Sequence, residues 1–335
     1  MKETENRRYR SMWLIGMLFL FIATLSAQNG RYIFSDFTVK NGLSHANVLS
    51  IYEDKMGSYW IGTADGLTCI LGNEIKNYTH RYADSTSILS NRIEFVVEDT
   101  CGKMWVSTSQ GVSNYITNTD TFVPVLVDGK TLHAYSYQLV DGQIQFGGNN
   151  VIYQYSCKEE KVQPLLRLQS DIPLSVNYFK QVDASRFIIV DKYRGVFWAD
   201  ARTGQVSCFS VAHQKTEYNS YWVDSEGRLW LAPYQQGLEC YSLQDEGKLL
   251  YHYTTDNSLL SHNSVTDIKE FGNELWIATD GGGINILDGS ARIIQHIKRS
   301  PYNEHSISTD FIRVLFEDSF GTKWVGTVRD GLIRI

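Results

Sequence analysis

Three pairs of adjacent acidic residues are candidates for acid–base catalysis. They are Glu53-Asp54, Glu98-Asp99 and Glu317-Asp318. Neighbouring carboxyl groups suit acid–base catalysis when their surroundings separate their pKa values. Here a glycine follows each Asp by three positions, and one active site would not recur in every copy of a repeat. We therefore interpret the pairs as turn-forming residues and predict no catalytic residue and no enzyme activity.

Two histidines occupy equivalent positions in similar phrases. His45 lies in "GLSHANV" and His262 in "LLSHNSV". Because they belong to two different loops, we expect loop hydrogen bonds rather than metal ligation. The motifs H-E-x-x-H, H-x-x-E-H and G-x-S-x-G do not occur in the sequence. We predict neither a metal site nor a cofactor.

Five cysteines are spread along the chain, at positions 69, 101, 157, 208 and 240. No two have C-x-x-C spacing, and the odd number in a chain of this length does not indicate a disulfide framework. Cys69 in "GLTC" and Cys240 in "GLEC" share one position of the repeat, so we do not expect them to pair. Most of the cysteines are expected to be small core residues.

The composition is that of a folded protein with acidic excess. Of 335 residues, 43% are hydrophobic and 20% are charged, and 31 basic against 37 acidic residues give a net charge of −6. No Lys/Arg cluster is present that could neutralise a run of phosphates. Nucleic acid is therefore excluded as an expected partner.

The N-terminal segment has the features of an export signal. Arg7, Arg8 and Arg10 precede the apolar run "WLIGMLFLFIATL", and small residues follow near Ala27. A run of this length spans roughly 20 Å as a helix, less than the ~30 Å core of a bilayer, which disfavours the alternative of an uncleaved anchor. We predict a signal peptide at residues 1–27, a periplasmic protein and no membrane span after cleavage.

An internal repeat of about 44 residues organises the rest of the chain. Trp60 lies in "WIGTADGL" and Trp324 in "WVGTVRDGL", 264 residues apart, which is six periods. The equivalent tryptophans of the clear copies are Trp60, Trp105, Trp230, Trp276 and Trp324. Two degenerate copies fit between Trp105 and Trp230, one of them with Phe146 in place of Trp. The period and the count of seven are typical of propeller blades.

Each copy reads as four short antiparallel strands. In the first, "VLSIYED" and "YWIGT" are strands joined by a D-x-x-G turn, and "LTCIL" and "EIKNYTH" follow. The turn needs a residue at positive φ, which glycine adopts without cost. The turn glycines are Gly57, Gly102, Gly227 and Gly321. The tryptophan and the small residue two positions later share a face, which suits blades packed face to face.

The two ends of the chain complement each other. The last copy stops after its third strand, whereas "YIFSDFTV", Tyr32 to Val39, has the sequence of an outer strand without a blade of its own. Pairing the two would close the ring and leave no free edge. The sequence predicts an all-β fold: one seven-bladed β-propeller over residues 28–335, closed by an N-terminal outer strand.

The repeat resembles the two-component regulator propeller repeat, whose pattern runs roughly V-x-x-I-x-E-D-x-x-G-x-[LM]-W-[IV]-G-T-x-x-G-[LI]. The matching residues are Glu53-Asp54, Gly57, Trp60 to Thr63 and Gly66-Leu67, and Glu317-Asp318, Gly321, Trp324 to Thr327 and Gly331-Leu332. The resemblance implies the periplasmic sensor region of Bacteroidetes-type hybrid two-component histidine kinases, which senses carbohydrate fragments. This chain has no kinase motif, so we expect a truncated sensor. The alternative is a free-standing exported propeller that acts as a protein interaction scaffold.

Loops on one face of the propeller are the predicted ligand site. The connections between second and third strands combine aromatic rings with planar hydrogen-bonding groups, which suits a sugar. The candidate residues are Tyr193, Arg194, Tyr234, Gln235, Gln236, Arg329 and Asp330. We expect an oligosaccharide ligand there, or contact with a second propeller or a homodimer partner.

Overall fold

The computed structural model describes residues 32–209, 217–245 and 247–335. Within these ranges the strands form seven four-stranded antiparallel sheets and one separate two-stranded hairpin. The prediction of an all-β, seven-bladed propeller is confirmed. The predicted signal peptide lies outside the described residues. Among the described residues, no helix has the length and apolar character needed to cross a membrane.

The strands of each blade follow one another from the centre outward as inner, return, third and outer strand. Blades 1 and 2 consist of β2–β5 (Val48–Glu53, Tyr59–Thr63, Gly66–Leu71, Glu74–Tyr78) and β6–β9 (Ile93–Glu98, Met104–Thr108, Gly111–Ile116, Thr121–Pro124). Blades 3 and 4 consist of β12–β15 (Ser136–Val140, Gln143–Gly147, Val151–Ser156, Lys161–Arg167) and β16–β19 (Tyr178–Gln181, Arg186–Asp191, Gly195–Asp200, Val206–Cys208). The separate hairpin, β10 and β11 (Leu126–Val127, Lys130–Thr131), lies between blades 2 and 3 in the chain.

The last three blades include the one that joins the two ends. Blades 5 and 6 consist of β20–β23 (Tyr218–Val223, Arg228–Pro233, Leu238–Ser242, Lys248–Tyr253) and β24–β27 (Val265–Phe271, Glu274–Thr279, Ile284–Leu287, Ile293–Ile297). Blade 7 consists of β28–β30 (Ile312–Glu317, Lys323–Thr327, Leu332–Arg334) with β1 (Ser35–Phe37) as its outer strand.

Closure of the ring has the predicted form but uses a shorter strand. Ser35 pairs with Arg334 and Phe37 with Leu332. The strand does not extend to Val39 as predicted, because Thr38 caps a 3₁₀ turn at Val39–Asn41. Its hydroxyl accepts a hydrogen bond from the Lys40 amide at 3.2 Å, which redirects the chain.

Side chains of blades 7 and 1 reinforce this closure. The Glu53 carboxylate accepts hydrogen bonds from the Ser319 amide at 2.6 Å and from its hydroxyl at 3.0 Å. The Tyr59 hydroxyl donates to Asp318 at 2.9 Å. The first and last copies of the repeat are therefore joined by three side-chain hydrogen bonds as well as by the shared sheet.

The D-x-x-G turn between inner and return strand holds the blade's tryptophan. In blade 1 the Asp54 Oδ1 atom accepts from the amides of Met56 and Ser58 at 3.0 and 2.8 Å. Its Oδ2 atom accepts from the Trp60 indole N–H at 2.8 Å. Gly57 takes φ +79° at the turn, as the sequence requires. The predicted turn role of the acidic pair is thus confirmed.

Equivalent hydrogen bonds occur in the other clear copies. The indole N–H of Trp105, Trp230 and Trp324 donates to Asp99, Asp224 and Asp318 at 2.9, 2.7 and 2.8 Å. In blade 6 no Asp is present at that position, and Trp276 donates instead to Glu274 at 3.1 Å. The glycines Gly102, Gly227 and Gly321 have φ values of +79°, +74° and +80°.

Adjacent blades pack through a large ring and a small neighbour. Trp105 is fully buried and its ring lies 5.1 Å from Phe146 and 4.8 Å from Tyr155 of blade 3. At Gly62 an added Cβ would approach Ile93 of blade 2 to 2.7 Å. The small residue therefore makes room for the first apolar side chain of the next inner strand, which brings the sheets together.

The structure corrects the reading of the cysteines. Cys101, in the first turn of blade 2, forms a disulfide with Cys157, in the last turn of blade 3. Cys69 and Cys240 do not pair with each other, as predicted. The disulfide was not predicted because the two cysteines occupy different turns of different copies, so no position of the repeat relates them.

The N-terminal strand is expected to be essential for stability. Deleting residues 32–38 would expose the edge of β30 and remove its backbone pairing. We expect a large drop in the melting temperature measured by circular dichroism. A Ser35→Ala chain keeps the backbone pairing and serves as the control. A deleted chain that melts like the control would contradict closure by β1.

Stability should depend on the ionisation of Asp318. Burial opposes its ionisation, but hydrogen bonds from Trp324, the Thr322 amide and Tyr59 outweigh burial and lower the pKa of the carboxyl. A lowered folded-state pKa contributes stability above the unfolded pKa of about 4, and this contribution is lost as the pH falls through the folded pKa.

Urea unfolding across pH would test this dependence. At pH 7 Asp318→Asn should lower the free energy of unfolding by about 1–3 kcal/mol, because an acceptor of several buried donors is weakened. The difference from the unmodified chain should shrink below pH 4. Asp171→Asn, at an exposed position, should have no such effect. A difference that does not change with pH would argue against the role of Asp318.

The disulfide should stabilise the junction of blades 2 and 3. We expect Cys101→Ser with Cys157→Ser to lower the free energy of unfolding by about 2–4 kcal/mol, mainly because the unfolded chain gains freedom. Dithiothreitol should lower the urea midpoint of the unmodified chain and leave that of the double variant unchanged. Equal midpoints for both chains under oxidising conditions would show that the bond adds no stability.

Candidate functional site

The propeller has two faces that differ in the loops they carry. Each inner strand runs away from the connection with the preceding blade, so these connections share one face with the loops between return and third strands. We call it the upper face. The D-x-x-G turns and the loops between third and outer strands lie on the opposite, lower face. All seven candidate residues from the sequence lie on the upper face.

The structure separates the candidate residues by their surroundings. Tyr193 and Tyr234 are 59% and 49% exposed. Arg194, by contrast, is engaged within the protein, since its guanidinium contacts the fully buried Asp191 carboxylate at 3.2 Å. Gln235 donates to the Tyr234 hydroxyl at 3.2 Å. The aromatic rings, rather than Arg194, are therefore the parts of blades 4 and 5 that remain accessible to a ligand.

The remaining candidates do not form a single cluster. The Gln236 side chain is exposed, and its backbone carbonyl contacts the His252 ring at 3.2 Å. Arg329 and Asp330 are exposed on blade 7, with blade 6 standing between them and Tyr234. Of the seven predicted residues, Tyr234 also lines the central cavity.

That cavity lies on the axis and is lined by side chains from all seven blades. Its volume is about 970 Å³, at the upper end of the range of about 300–1,000 Å³ typical of ligand sites. Inner-strand residues form most of its wall. The loop residues Lys192, Tyr234 and Asp280 extend the wall toward the upper face.

A β-bulge near the start of the inner strand shapes the mouth of this cavity. In five blades the pairing with the return strand skips one residue, the second of the inner strand. A bulge leaves the extra residue unpaired and changes the direction of its side chain. The five bulged residues all line the cavity; we call them the bulge ring: Leu49, Glu94, Asn219, Thr266 and Arg313.

The two degenerate blades lack this bulge. Their inner and return strands pair without interruption, from Ser136 to Val140 and from Tyr178 to Gln181. They contribute Tyr137, Gln138 and Lys180 to the cavity wall instead. The upper part of the cavity wall is therefore mostly polar. Its residue types differ from blade to blade, and no type occurs twice among the five bulged positions.

Charged groups cluster where the bulge ring meets the loops. Arg92 donates to Glu94 at 2.9 Å. Arg313 lies near Glu94, Arg92 and Asp280, and burial, together with Arg92, lowers its pKa despite the two carboxylates. Among the described residues Arg313 makes no hydrogen bond or ion pair. A guanidinium with five donors therefore faces the cavity without a protein acceptor.

Below the bulge ring, Asp267 holds three blades in position. Its two carboxylate oxygens accept from the amides of Ile268 and Leu315, both at 2.9 Å, and it also bonds to Ser220. Burial raises the pKa of this carboxyl, and Lys269 and the hydrogen bonds oppose the change. The bond to Leu315 satisfies an amide beside the bulge of blade 7. Asp267 is therefore a positioning residue for Arg313 and for Thr266.

The deeper part of the cavity is aromatic. Tyr137 packs against Phe95 with ring centres 4.7 Å apart, and Tyr178 packs against Tyr221 at 5.4 Å. Burial raises the pKa of Tyr137 to about 12, so its hydroxyl is neutral at physiological pH. Trp222 and Lys269 form a cation–π contact at 4.7 Å. This lower wall therefore combines aromatic rings with charged side chains such as Asp267 and Lys269.

The groups that sequence analysis weighed for catalysis or metal binding have structural partners. The Nδ1 atoms of His45 and His262 accept from the amides of Asn47 and Ser264 at 3.0 and 3.1 Å, as predicted. Asp99 lies near the sulfurs of Cys101 and Cys157, but disulfide sulfurs are not the thiolates that bind metals. The geometry of the cavity thus favours binding by hydrogen bonds and ring contact.

Sequence analysis missed the bulge ring, although a signal for it exists. In the five bulged blades the first residue of the inner strand is fully buried, as at Val48, Ile93 and Ile312. The next residue varies from Leu to Glu, Asn, Thr and Arg while its surroundings repeat. A position that varies inside a repeated frame marks a place where packing does not dictate the side chain.

Comparison with known proteins agrees with the repeat. Residues 42–65, which end in the loop that follows the return strand of blade 1, match the family described as two component regulator propeller. The first copy of the repeat is therefore similar to this family's repeat. A curated relative, histidine kinase P4 of Formosa agariphila, is 45% identical over 73 residues, which are 22% of this chain and 5% of the kinase. The match therefore covers a small part of that relative.

Solved structures share the fold of this propeller. The extracellular domain of a protein described as a hybrid two component system, from B. thetaiotaomicron, has a TM-score of 0.73 at 23% identity over 91% of this chain and 42% of its own. A second extracellular domain from that organism, described as a one component system, has a TM-score of 0.69 at 19% identity, over 90% and 40%. The chain thus spans under half the length of these relatives.

An enzyme also has this fold. Virginiamycin B lyase from Staphylococcus aureus, solved with quinupristin, has a TM-score of 0.63 at 13% identity and covers 90% of this chain and 98% of its own. At this sequence identity the two proteins are similar in fold alone.

Proposed function

We propose that this two-component regulator propeller is an exported sensor domain whose upper face binds carbohydrate fragments. The observation that carries the proposal is the central cavity, with a varied polar mouth above an aromatic wall. Sugars are bound by planar hydrogen-bonding groups that match their hydroxyls and by aromatic rings that cover their apolar faces. The bulge ring supplies the former and Tyr234 the latter.

The proposed location follows from the N-terminal segment and the relatives. The predicted signal at residues 1–27 would deliver the chain to the periplasm, where carbohydrate fragments are encountered. The two similar structures from B. thetaiotaomicron are extracellular domains. In this proposal the propeller supplies recognition of the carbohydrate.

Thermal unfolding with a panel of oligosaccharides tests the proposal. A ligand that binds the folded state stabilises it by about 2.7 kcal/mol at 100 times its Kd, so a binding glycan should raise the melting temperature in a concentration-dependent way. Tyr234→Ala with Arg329→Ala should weaken the effect because a ring and a donor are removed. Phe320→Ala removes an exposed ring from a D-x-x-G turn on the lower face and is the matched control.

Two results would contradict the proposal. If no neutral or acidic oligosaccharide in the panel raises the melting temperature at millimolar concentration, carbohydrate recognition is wrong. If a glycan stabilises the chain equally with and without the two substitutions, it binds elsewhere. Stabilisation that survives Phe320→Ala and is reduced in the double variant supports the upper face as the site.

A further inference from the structure

Arg313 is the feature of the cavity mouth that the fold does not account for. Its guanidinium is partly buried at the second position of β28 and has no hydrogen bond or ion pair among the described residues. Removing a charged donor group from water without giving it an acceptor is unfavourable. The other charged ring residue, Glu94, has such a partner in Arg92. No anionic group in the described part of the protein therefore pairs with the Arg313 guanidinium.

The charged side chains around Arg313 determine which kind of ligand could provide its anionic partner. Lys180 lines the same cavity from blade 4, across the ring from blade 7, and likewise makes no ion pair in the described part of the chain. Lys192 contacts Glu217 at 3.9 Å. The Asp280 carboxylate faces the cavity near Arg313 without an ion pair of its own among the described residues. Two cations and one anion therefore remain for a ligand.

We propose that the mouth of the cavity binds an acidic sugar, with its anionic group held by Arg313. This inference rests on the proposed function and names its ligand class. A guanidinium offers two parallel N–H donors that match the two oxygens of a carboxylate, and such pairs are short and directional. A uronate-containing oligosaccharide supplies that group beside hydroxyls, and a sulfated sugar supplies a similar anion.

The rest of the mouth fits the hydroxyl groups of such a ligand. The Asp280 carboxylate accepts hydrogen bonds, and sugar hydroxyls can donate them. The Thr266 hydroxyl donates to the Ile312 carbonyl at 2.8 Å, which leaves its lone pairs to accept. Tyr234 presents an accessible ring on the loop side. Asp280 would repel a carboxylate placed beside it, so the acid group must point to Arg313 and the hydroxyls to Asp280.

Calorimetric titration with matched sugars tests this inference. The probes are trisaccharides of galacturonate, glucuronate and mannuronate, each beside its carboxyl-reduced neutral counterpart, and a sulfated trisaccharide. At least one anionic member should bind, and more tightly than its neutral counterpart. Arg313→Gln should weaken that binding by about 10- to 100-fold, the effect of losing a hydrogen-bonded charged group. Arg202→Gln, at an exposed arginine on the lower face, should leave it unchanged.

The outcomes separate the inference from the proposed function. Binding of neutral sugars as tightly as acidic ones, or acidic binding unaffected by Arg313→Gln, overturns the acidic-sugar inference and leaves carbohydrate recognition intact. Absence of binding by every sugar overturns both. Preference for the uronates over the sulfated sugar identifies a carboxylate as the anion, and the reverse preference identifies a sulfate. Circular dichroism melting of the Arg313 variant excludes loss of fold as the cause.

Discussion

The hydrogen bond between a turn aspartate and its tryptophan is the interaction on which the propeller depends. One carboxylate oxygen closes the turn between inner and return strand, and the other fixes the indole that packs the blades, as at Asp224 and Trp230. A buried indole N–H without an acceptor would be costly. The same carboxylate thus couples local turn geometry to packing between sheets, and repeating the pair repeats the blade.

The neighbouring glutamate extends this coupling around the ring. Glu98 of blade 2 accepts from the Lys55 amide of blade 1 at 2.8 Å, and Glu270 of blade 6 accepts from the Ser225 amide of blade 5 at 2.8 Å. The glutamate therefore caps the turn of the preceding blade while the aspartate closes its own. Where blade 3 lacks the pair, the disulfide between Cys101 and Cys157 joins the same region to blade 2. There the Thr100 amide, equivalent to that of Lys55, donates to the Gly142 carbonyl of blade 3 at 3.3 Å, and the disulfide adds a covalent link beside this hydrogen bond.

The sequence was sufficient to predict the parts of the fold that repeat. The tryptophans, turn glycines and orphan strand gave seven blades and the closure by β1, because each is a local pattern whose copies reinforce one another. It did not predict the disulfide or the bulges. A bulge is a property of how two strands pair, and the skipped residue at Arg313 leaves no mark on composition. Likewise the loop position of Arg194 predicted a ligand contact, whereas in the structure its guanidinium contacts the Asp191 carboxylate.

The turn positions that stay the same between copies of the repeat therefore lie on the lower face, and the bulge positions that vary lie at the upper face. The turns, with their Asp, Glu and Gly, lie on the lower face and are constrained by packing between blades. The bulge allows each inner strand to vary one residue at the upper end, because that side chain enters the cavity instead of the core. A protein built this way can change Glu94, Asn219 or Arg313 without disturbing the hydrogen bonds that hold the ring together. The lining of the cavity and the packing of the blades are thus carried by separate residues of the same strands.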